Sequence, residues 1–319
     1  MEVTLALAQY PITFHHSLED WKSHTENWVA GACSQGAQIL TFPEYGSMEL
    51  TSLFPEAVRN DLKLQIDRMQ ELLPYFIDFF RELAEKYRCV LVAPSFPVDL
   101  GDKTVNRCFV FTETGYSFQD KHFMTRFEDE SWGISSSDGA LRLFDTRFGK
   151  FGVQICFDIE FPIGGHLLAE AGADFILVPS CTETLKGATR VHIGARARAM
   201  EQQLYTGVSQ TIDEALWSPA VDINYGYTAF YSSPDGDFDD EGILAKEQAQ
   251  TSGWLIRTLD LSKNAEIREN GQVLNFRNSQ NLTMQDGNCF VEIVSMKQNG
   301  NENQNQNQNE EMKSSLNLL

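Results

Sequence analysis

The stretch GVQICFDIEFP, residues 152–162, runs from apolar residues into a cysteine and then at once into Phe-Asp-Ile-Glu-Phe-Pro. The spacing predicts a strand that finishes on Cys156, with the chain broken before Pro162, whose ring cannot continue a ladder. A thiol held at the edge of a sheet is well placed to act as a nucleophile. It is equally a place for a small buried hydrophobe, the commoner role for a lone cysteine. A free thiol titrates near about 8.5 and is mostly protonated at neutral pH, so a nucleophilic role demands an activating neighbour.

Two other predicted strand ends offer one. LTFPEYG, residues 40–46, places Glu44 directly after an apolar strand and a chain-breaking proline. YSFQDKHFMTRFEDE, residues 116–130, places Lys121 at the end of a hairpin strand. Brought to one sheet edge, the three groups support a defined chemistry. Glu44 takes the thiol proton and returns it to a leaving amine. Cys156 attacks a carbonyl or nitrile carbon to form a covalent acyl-enzyme. Lys121, with a backbone N–H near Phe157, stabilises the oxyanion. A second carboxylate, Glu128 with Glu130 behind it, would keep Lys121 charged. His122 and His192 invite a cysteine–histidine reading, and both are expected to be structural. Cys181 is expected to pack near the site, and Trp132 either lines the pocket or simply packs.

The surrounding chain reads as alternating strands and helices. VTLALAQY is a first strand, residues 17–35 a helix and AQILTFPE a second strand. Apolar residues at helical spacing mark a long helical region over 56–87, with a break at Pro74, and CVLVAPSF follows as a third strand. The stripe Leu64, Ile66, Met69 and Leu72 belongs to a core or an interface. Residues 105–120 and 141–157 read as hairpins turning at ETGY and RFGK. LLAEAGADFILVPS is a helix and a strand, 186–204 another helix, and YTGVSQT, YTAFYSSP and SGWLIRTLDL are later strands. This pattern predicts an α/β domain of layers with helices outside sheets. No glycine-rich phosphate loop follows the first strand, which weighs against a dinucleotide or nucleotide enzyme.

Composition narrows the partners. The 319 residues carry 45 acidic against 25 basic side chains, a formal charge of −20, so a nucleic-acid partner is excluded on electrostatic grounds. Six cysteines (33, 89, 108, 156, 181 and 289) show no paired spacing, which speaks against a structural zinc site or a redox dithiol. The N-terminus lacks a signal pattern and no apolar run spans a membrane, so a cytoplasmic protein with free thiols is expected. The sequon at Asn281 is then a loop tripeptide. PDGDFDDEG, residues 234–242, has the look of a calcium loop, but Asp240 stands where glycine is wanted and Lys246 where the bidentate glutamate is wanted; a solvated acidic loop is expected. The domain is expected over 1–296, with the Asn/Gln-rich segment 297–319 as a disordered tail.

The three neighbourhoods resemble those of the nitrilase, or carbon–nitrogen hydrolase, superfamily. In that family a Glu follows a PE strand end, a Lys opens a K-x-H stretch, and a Cys sits in C-[YF]-D-[IL]. GADFILVPS and ARARAMEQQLY are similar as well, and the likeness runs over about residues 3–265. The resemblance implies a four-layer α-β-β-α sandwich and a Glu44–Lys121–Cys156 triad without metal or organic cofactor. It also implies a small-molecule amide or nitrile substrate and a homodimer or larger oligomer formed through the outer helices. MTRFEDESWGI resembles a subgroup generally without an assigned substrate. Members with an Arg in C-[YF]-D-I-R-F-P grip a substrate carboxylate; here Glu160 stands there, which favours a cationic or neutral substrate or else pairs with Arg126 or Arg190. The expected activity is thiol-dependent hydrolysis of a small amide. Nitrile hydrolysis, acyl transfer and a catalytically silent scaffold remain as alternatives. A papain-like protease would need a Cys–His pair with the cysteine opening a helix.

Overall fold

The computed structural model describes residues 1–279. The first half runs β1 (Glu2–Pro11), α1 (Leu18–Cys33), β2 (Ile39–Thr41), α2 (Glu56–Arg59), α3 (Leu62–Met69), α4 (Leu73–Tyr87), β3 (Val90–Val92), β4 (Phe96–Asp99), β5 (Thr104–Thr112) and β6 (Gly115–Asp120). The second half runs β7 (Leu143–Thr146), β8 (Gly149–Val153), α5 (Pro162–Glu170), β9 (Phe175–Ser180), α6 (Leu185–Gln202) and β10 (Tyr205–Glu214). It closes with β11 (Ile223–Asn224), β12 (Ala229–Tyr231), β13 (Ile243–Lys246), β14 (Gly253–Asp260), α7 (Ser262–Asn270) and α8 (Asn275–Ser279).

The hydrogen-bonded path is β4-β5-β3-β2-β1-β10-β9-β8-β7. Strand β1 explains how one ladder makes two layers. Along Glu2–Gln9 it is flanked by β14, antiparallel, and by β2, parallel. From Gln9 to Pro11 it pairs instead with β10, in the register Gln9↔Gln210. β1 thereby ties the β2-β3-β5 sheet to the β10-β9-β8 sheet. Its alternation serves two cores, as a strand buried on both faces must. Ala6, Ala8 and Tyr10 face the core shared with α1 and α4. Val3, Leu5 and Leu7 face the core between the sheets, with Ile39, Val92, Ile176 and Val178. With α1 and α4 on one side and α5 and α6 on the other, the result is the α-β-β-α sandwich.

Local chemistry sets the helix bounds. Ser17 accepts from Asp20 N–H to start α1, Asp61 accepts from Lys63 and Leu64 N–H to start α3, and Thr184 accepts from Gly187 N–H to start α6. α4 presents Phe76, Phe79, Phe80 and Leu83 as a single stripe, and Phe76 and Phe80 are fully buried. Each such ring stabilises the fold by about 1.5–3 kcal/mol. The helical region 56–87 differs from expectation: it is three helices, interrupted before Asp61 and after Met69, and Pro74 lies in the first turn of α4. A proline is tolerated there because that N–H has no partner within a helix. In the stripe Leu64 is exposed, while Ile66 and Met69 are buried. The acidic loop is also not simply solvated. Asp235 is buried and accepts from Gly236 and Gln272 N–H, so it pins the segment before α8. The boundary at 296, the tail 297–319, Asn281 and Cys289 lie outside the described residues.

Candidate active site

Three loop entries converge on Lys121. Glu44 lies just beyond β2, Lys121 follows β6, and Glu128 lies on a π-helical turn, Phe127–Trp132. Lys121 Nζ donates to Glu44 Oε1 at 2.8 Å and to Glu128 Oε2 at 2.6 Å, with all three side chains almost wholly buried. The carboxylates are held independently as well. Asn106 Nδ2 donates to Glu44 Oε1 at 2.9 Å, and Cys181 N–H donates to Glu44 Oε2 at 2.9 Å. Tyr45 OH donates to Glu128 Oε1 at 2.7 Å, and Thr125 adds its N–H and hydroxyl on Oε2.

Two carboxyls now share one buried ammonium, and their environments separate them. Burial pushes Glu44 up to about 7, Lys121 opposes that shift, and the Glu128 charge adds to it. Burial would raise Glu128 too, but Lys121, Thr125 and Tyr45 outweigh it and hold this carboxyl below its ordinary value. Burial opposes the charge of Lys121, yet Glu128 and Glu44 together hold its ammonium well above the ordinary range. The array therefore has a permanent ion pair, Lys121–Glu128, and one carboxyl poised to exchange a proton at neutral pH.

Cys156 is not the last residue of a strand. β8 ends at Val153, and Cys156 opens a 3₁₀ turn, Cys156–Glu160. Its φ of 48° lies in the left-handed region, a costly conformation for a residue with a side chain. The sharp turn brings the thiol into the cavity that Glu44 also lines, and Sγ donates to Cys181 O at 3.6 Å. Burial, and then the Glu44 charge, push the thiol well above its ordinary value, so at rest it carries its proton. Asp158 joins this turn to the Lys121 loop: its carboxylate accepts from His122 N–H, Phe123 N–H and Ile155 N–H.

Helix α6 clamps the same turn from behind. Arg198 Nη1 donates to Ile159 O at 3.1 Å, and Gly194 packs so closely that an added Cβ would stand 2.7 Å from that oxygen. Backbone on both sides leaves no flexible atom to yield. Gly194→Ala is expected to cost about 1–3 kcal/mol by overpacking, read as a lower urea midpoint, and to displace the Cys156 turn, read as a slower alkylation of its thiol.

Glu44, Lys121 and Cys156 open on a cavity of about 240 Å³ whose wall also includes Glu128, Trp132 and Phe157. Glu160 and Arg190 line it too, and they pair at 3.3 Å. Glu160 thus lies in the cavity wall and has Arg190 as its local cation. Trp132 is buried behind Tyr45, 4.6 Å between ring centroids, and its indole N–H donates to Leu62 O. Arg126 pairs with Glu130 at the surface, so Glu130 does not reach Lys121. No histidine is among the described residues lining the cavity. His122 Nε2 meets Gly139 O, and His192 sits buried between Tyr231 OH and Tyr227 O with its pKa lowered to about 4 by burial. The cysteine–histidine arrangement of a papain-like protease is absent here, although Cys156 does open a helical turn. Asn106, Tyr45 and the Cys181 N–H were not foreseen; an asparagine inside a strand and a backbone donor carry no signal in one sequence.

The carbon–nitrogen hydrolase family model matches residues 4–269. The chain belongs to the carbon–nitrogen hydrolase family. It is 32% identical over 272 residues to a probable hydrolase of Bacillus subtilis, YhcX, a match covering 85% of this chain and 52% of that protein. The chain therefore spans about half the length of this relative. It is 27% identical over 268 residues to the omega-amidase NIT2 of Mus musculus, covering 81% of this chain and 89% of NIT2. A carbon–nitrogen hydrolase structure from Helicobacter pylori superposes with a TM-score of 0.69 at 17% identity, over 84% of this chain and 92% of the other. That likeness establishes the shared fold.

Proposed function

We propose that this carbon–nitrogen hydrolase cleaves a small non-peptide amide through an acyl-thioester on Cys156. The observation that carries the reading is the Glu44–Lys121–Glu128 array, at 2.8 and 2.6 Å, sharing one cavity with the thiol. In acylation Glu44 takes the Cys156 proton as sulfur attacks the amide carbon. The oxyanion meets Lys121 Nζ and the Phe157 N–H. Collapse breaks the C–N bond, and Glu44 passes its proton to the departing nitrogen, releasing ammonia or an amine. Water then gives a proton to Glu44 and attacks the thioester; the acid leaves, and that proton returns to sulfur. Glu128 keeps Lys121 charged throughout. The small cavity suits a small acyl group, and the omega-amidase relatives favour amides over nitriles. Self-association belongs to the same reading, through Ile163 and Leu167 of α5 and Ile193 and Met200 of α6, all exposed.

The test is ammonia release from a panel of small primary amides, with intact mass of the acid-quenched protein. The expected result is ammonia together with an acyl adduct on the Cys156 peptide. Neither signal from any amide, with Cys156 alkylated at the rate of an ordinary free thiol, would leave the silent scaffold instead. The pH profile carries its own sign. Glu44 must be ionised to accept the thiol proton, so kcat/KM is expected to rise with pH and level off above about 7. A profile flat between pH 5.5 and 8.5 would remove Glu44 as the base.

A further inference from the structure

Away from this cavity, the loop between β1 and α1, helix α1 and the 3₁₀ turn Gly46–Leu53 bring two histidines and a glutamate together. One nitrogen or oxygen from each of His15, His24 and Glu49 lies within 4.8 Å of the others. His15 and Glu49 are buried, and His24 is half-buried. The polar accounting of this cluster does not close. His15 Nε2 stands 3.4 Å from Glu49 Oε2 yet makes no hydrogen bond, and His24 Nε2 is buried with none. A protonated His15 would satisfy Glu49 and still leave His24 Nε2 without a partner. Buried polar atoms are paired in the great majority of cases, and orphans such as these call for a water or an ion as partner.

The donor set favours an ion. Two imidazoles and a carboxylate suit zinc and its transition-metal neighbours. Bonds of about 2.0–2.1 Å in a tetrahedral site put donor atoms about 3.3 Å apart, and the His15–Glu49 pair is already at 3.4 Å. The outer groups match what metal ligands usually have behind them. Trp21 Nε1–H donates to Glu49 Oε1 at 2.9 Å, and Tyr10 OH is shared between Oε1 at 2.8 Å and Oε2 at 3.0 Å, which fixes the carboxylate while Oε2 also stands 3.4 Å from His15 Nε2. Asp20 stands 3.7 Å from His15 Nδ1, on the far side of that ring.

We propose that His15, His24 and Glu49 bind one divalent ion of the zinc class, separate from the Cys156 cavity. Such an ion would staple β1 and α1 to the turn that immediately follows Glu44 and Tyr45. It takes no part in the thiol chemistry above and does not depend on it.

The experiment uses the full chain, stripped with chelator, exchanged into zinc and desalted, with retained metal counted by mass spectrometry. Cys156→Ala serves as a control for thiol binding, and His24→Gln as the site variant, since Glu49 also anchors Tyr10 and Trp21. The expected result is one zinc retained per chain in the wild type and in Cys156→Ala. His24→Gln, melting like the stripped wild type, is expected to retain none, and only the wild type and Cys156→Ala gain several degrees in Tm from zinc. Stripped wild type that retains no zinc overturns the proposal, as does retention undiminished in His24→Gln. With cobalt as the probe, a strong thiolate charge-transfer band would place the metal on cysteines and overturn it as well.

Discussion

Cys156→Ala is expected to lower kcat/KM for the best amide substrate by a factor on the order of 10⁴ or more, with the fold intact. The alanine removes the atom that forms the thioester and little else. The cysteine is packed in a turn held from outside by Asp158, Arg198 and the α6 backbone, and none of those contacts uses sulfur. The same Ala can adopt the left-handed φ at a cost close to that already present for Cys. Urea midpoints of the two proteins should therefore agree closely, and amide binding, read by calorimetry, should survive. What remains is an array in which Glu44 can still activate water against a bound amide. That route lacks a covalent intermediate, and its leaving group is an amine at full cost. A variant retaining a hundredth of the wild-type rate would mean that water is the normal nucleophile and that the thiol is a packing residue. Loss of the acyl adduct together with the rate ties the chemistry to sulfur.

Much of this site was legible because its strongest constraints are local. Pro43 breaks the chain just beyond β2, and Pro162 bars any strand from continuing past the Cys156 turn, so Glu44 and Cys156 were readable as residues of loops beyond strands. The order Glu, Lys, Cys, with the flanking patterns, then specified the family and the sandwich. The hidden features arise from side chains that meet only in three dimensions. Asn106 points into the site from within β5, where its polar side chain reads as a minor irregularity of a strand. Cys181 contributes through its main chain, which every residue has. The position of Cys156 was misread by a few residues because Gln154 and Ile155 continue the apolar alternation of β8; the ladder stops at Val153, while the chain stays extended. The interruption of 56–87 was missed for a related reason: Asp61 is an unremarked polar residue until its carboxylate is seen capping α3. Pairing across the sheets, with β1 exchanging β14 for β10, has no one-dimensional signature at all.

Lys121→Met carries the largest structural consequence. The methionine fills the same buried space but removes the ammonium that pairs with both Glu44 and Glu128. Breaking a buried ion pair from one side costs about 3–5 kcal/mol, because the remaining charge stays buried without compensation. Here two carboxyls are left facing one another, and each must take up a proton to remain inside. Their folded-state pKa values then lie above the unfolded ones, so their contribution to stability is fully present below the unfolded value, near 4.5, and is lost as pH rises through the folded values. The deficit against wild type is therefore expected to be small near pH 4.5 and to widen toward pH 8, where urea midpoints should be furthest apart. Turnover should fall by about 10²–10³-fold from the lost oxyanion stabilisation alone, and by more where Glu44 is held protonated and cannot act as base. The two effects separate on the pH axis. Acidic conditions that restore the variant's stability keep Glu44 neutral, so they do not restore its rate. A stability deficit that stays constant from pH 4.5 to 8 would show that Lys121 contributes packing and not charge, and the shared-ammonium account of the site would fall with it.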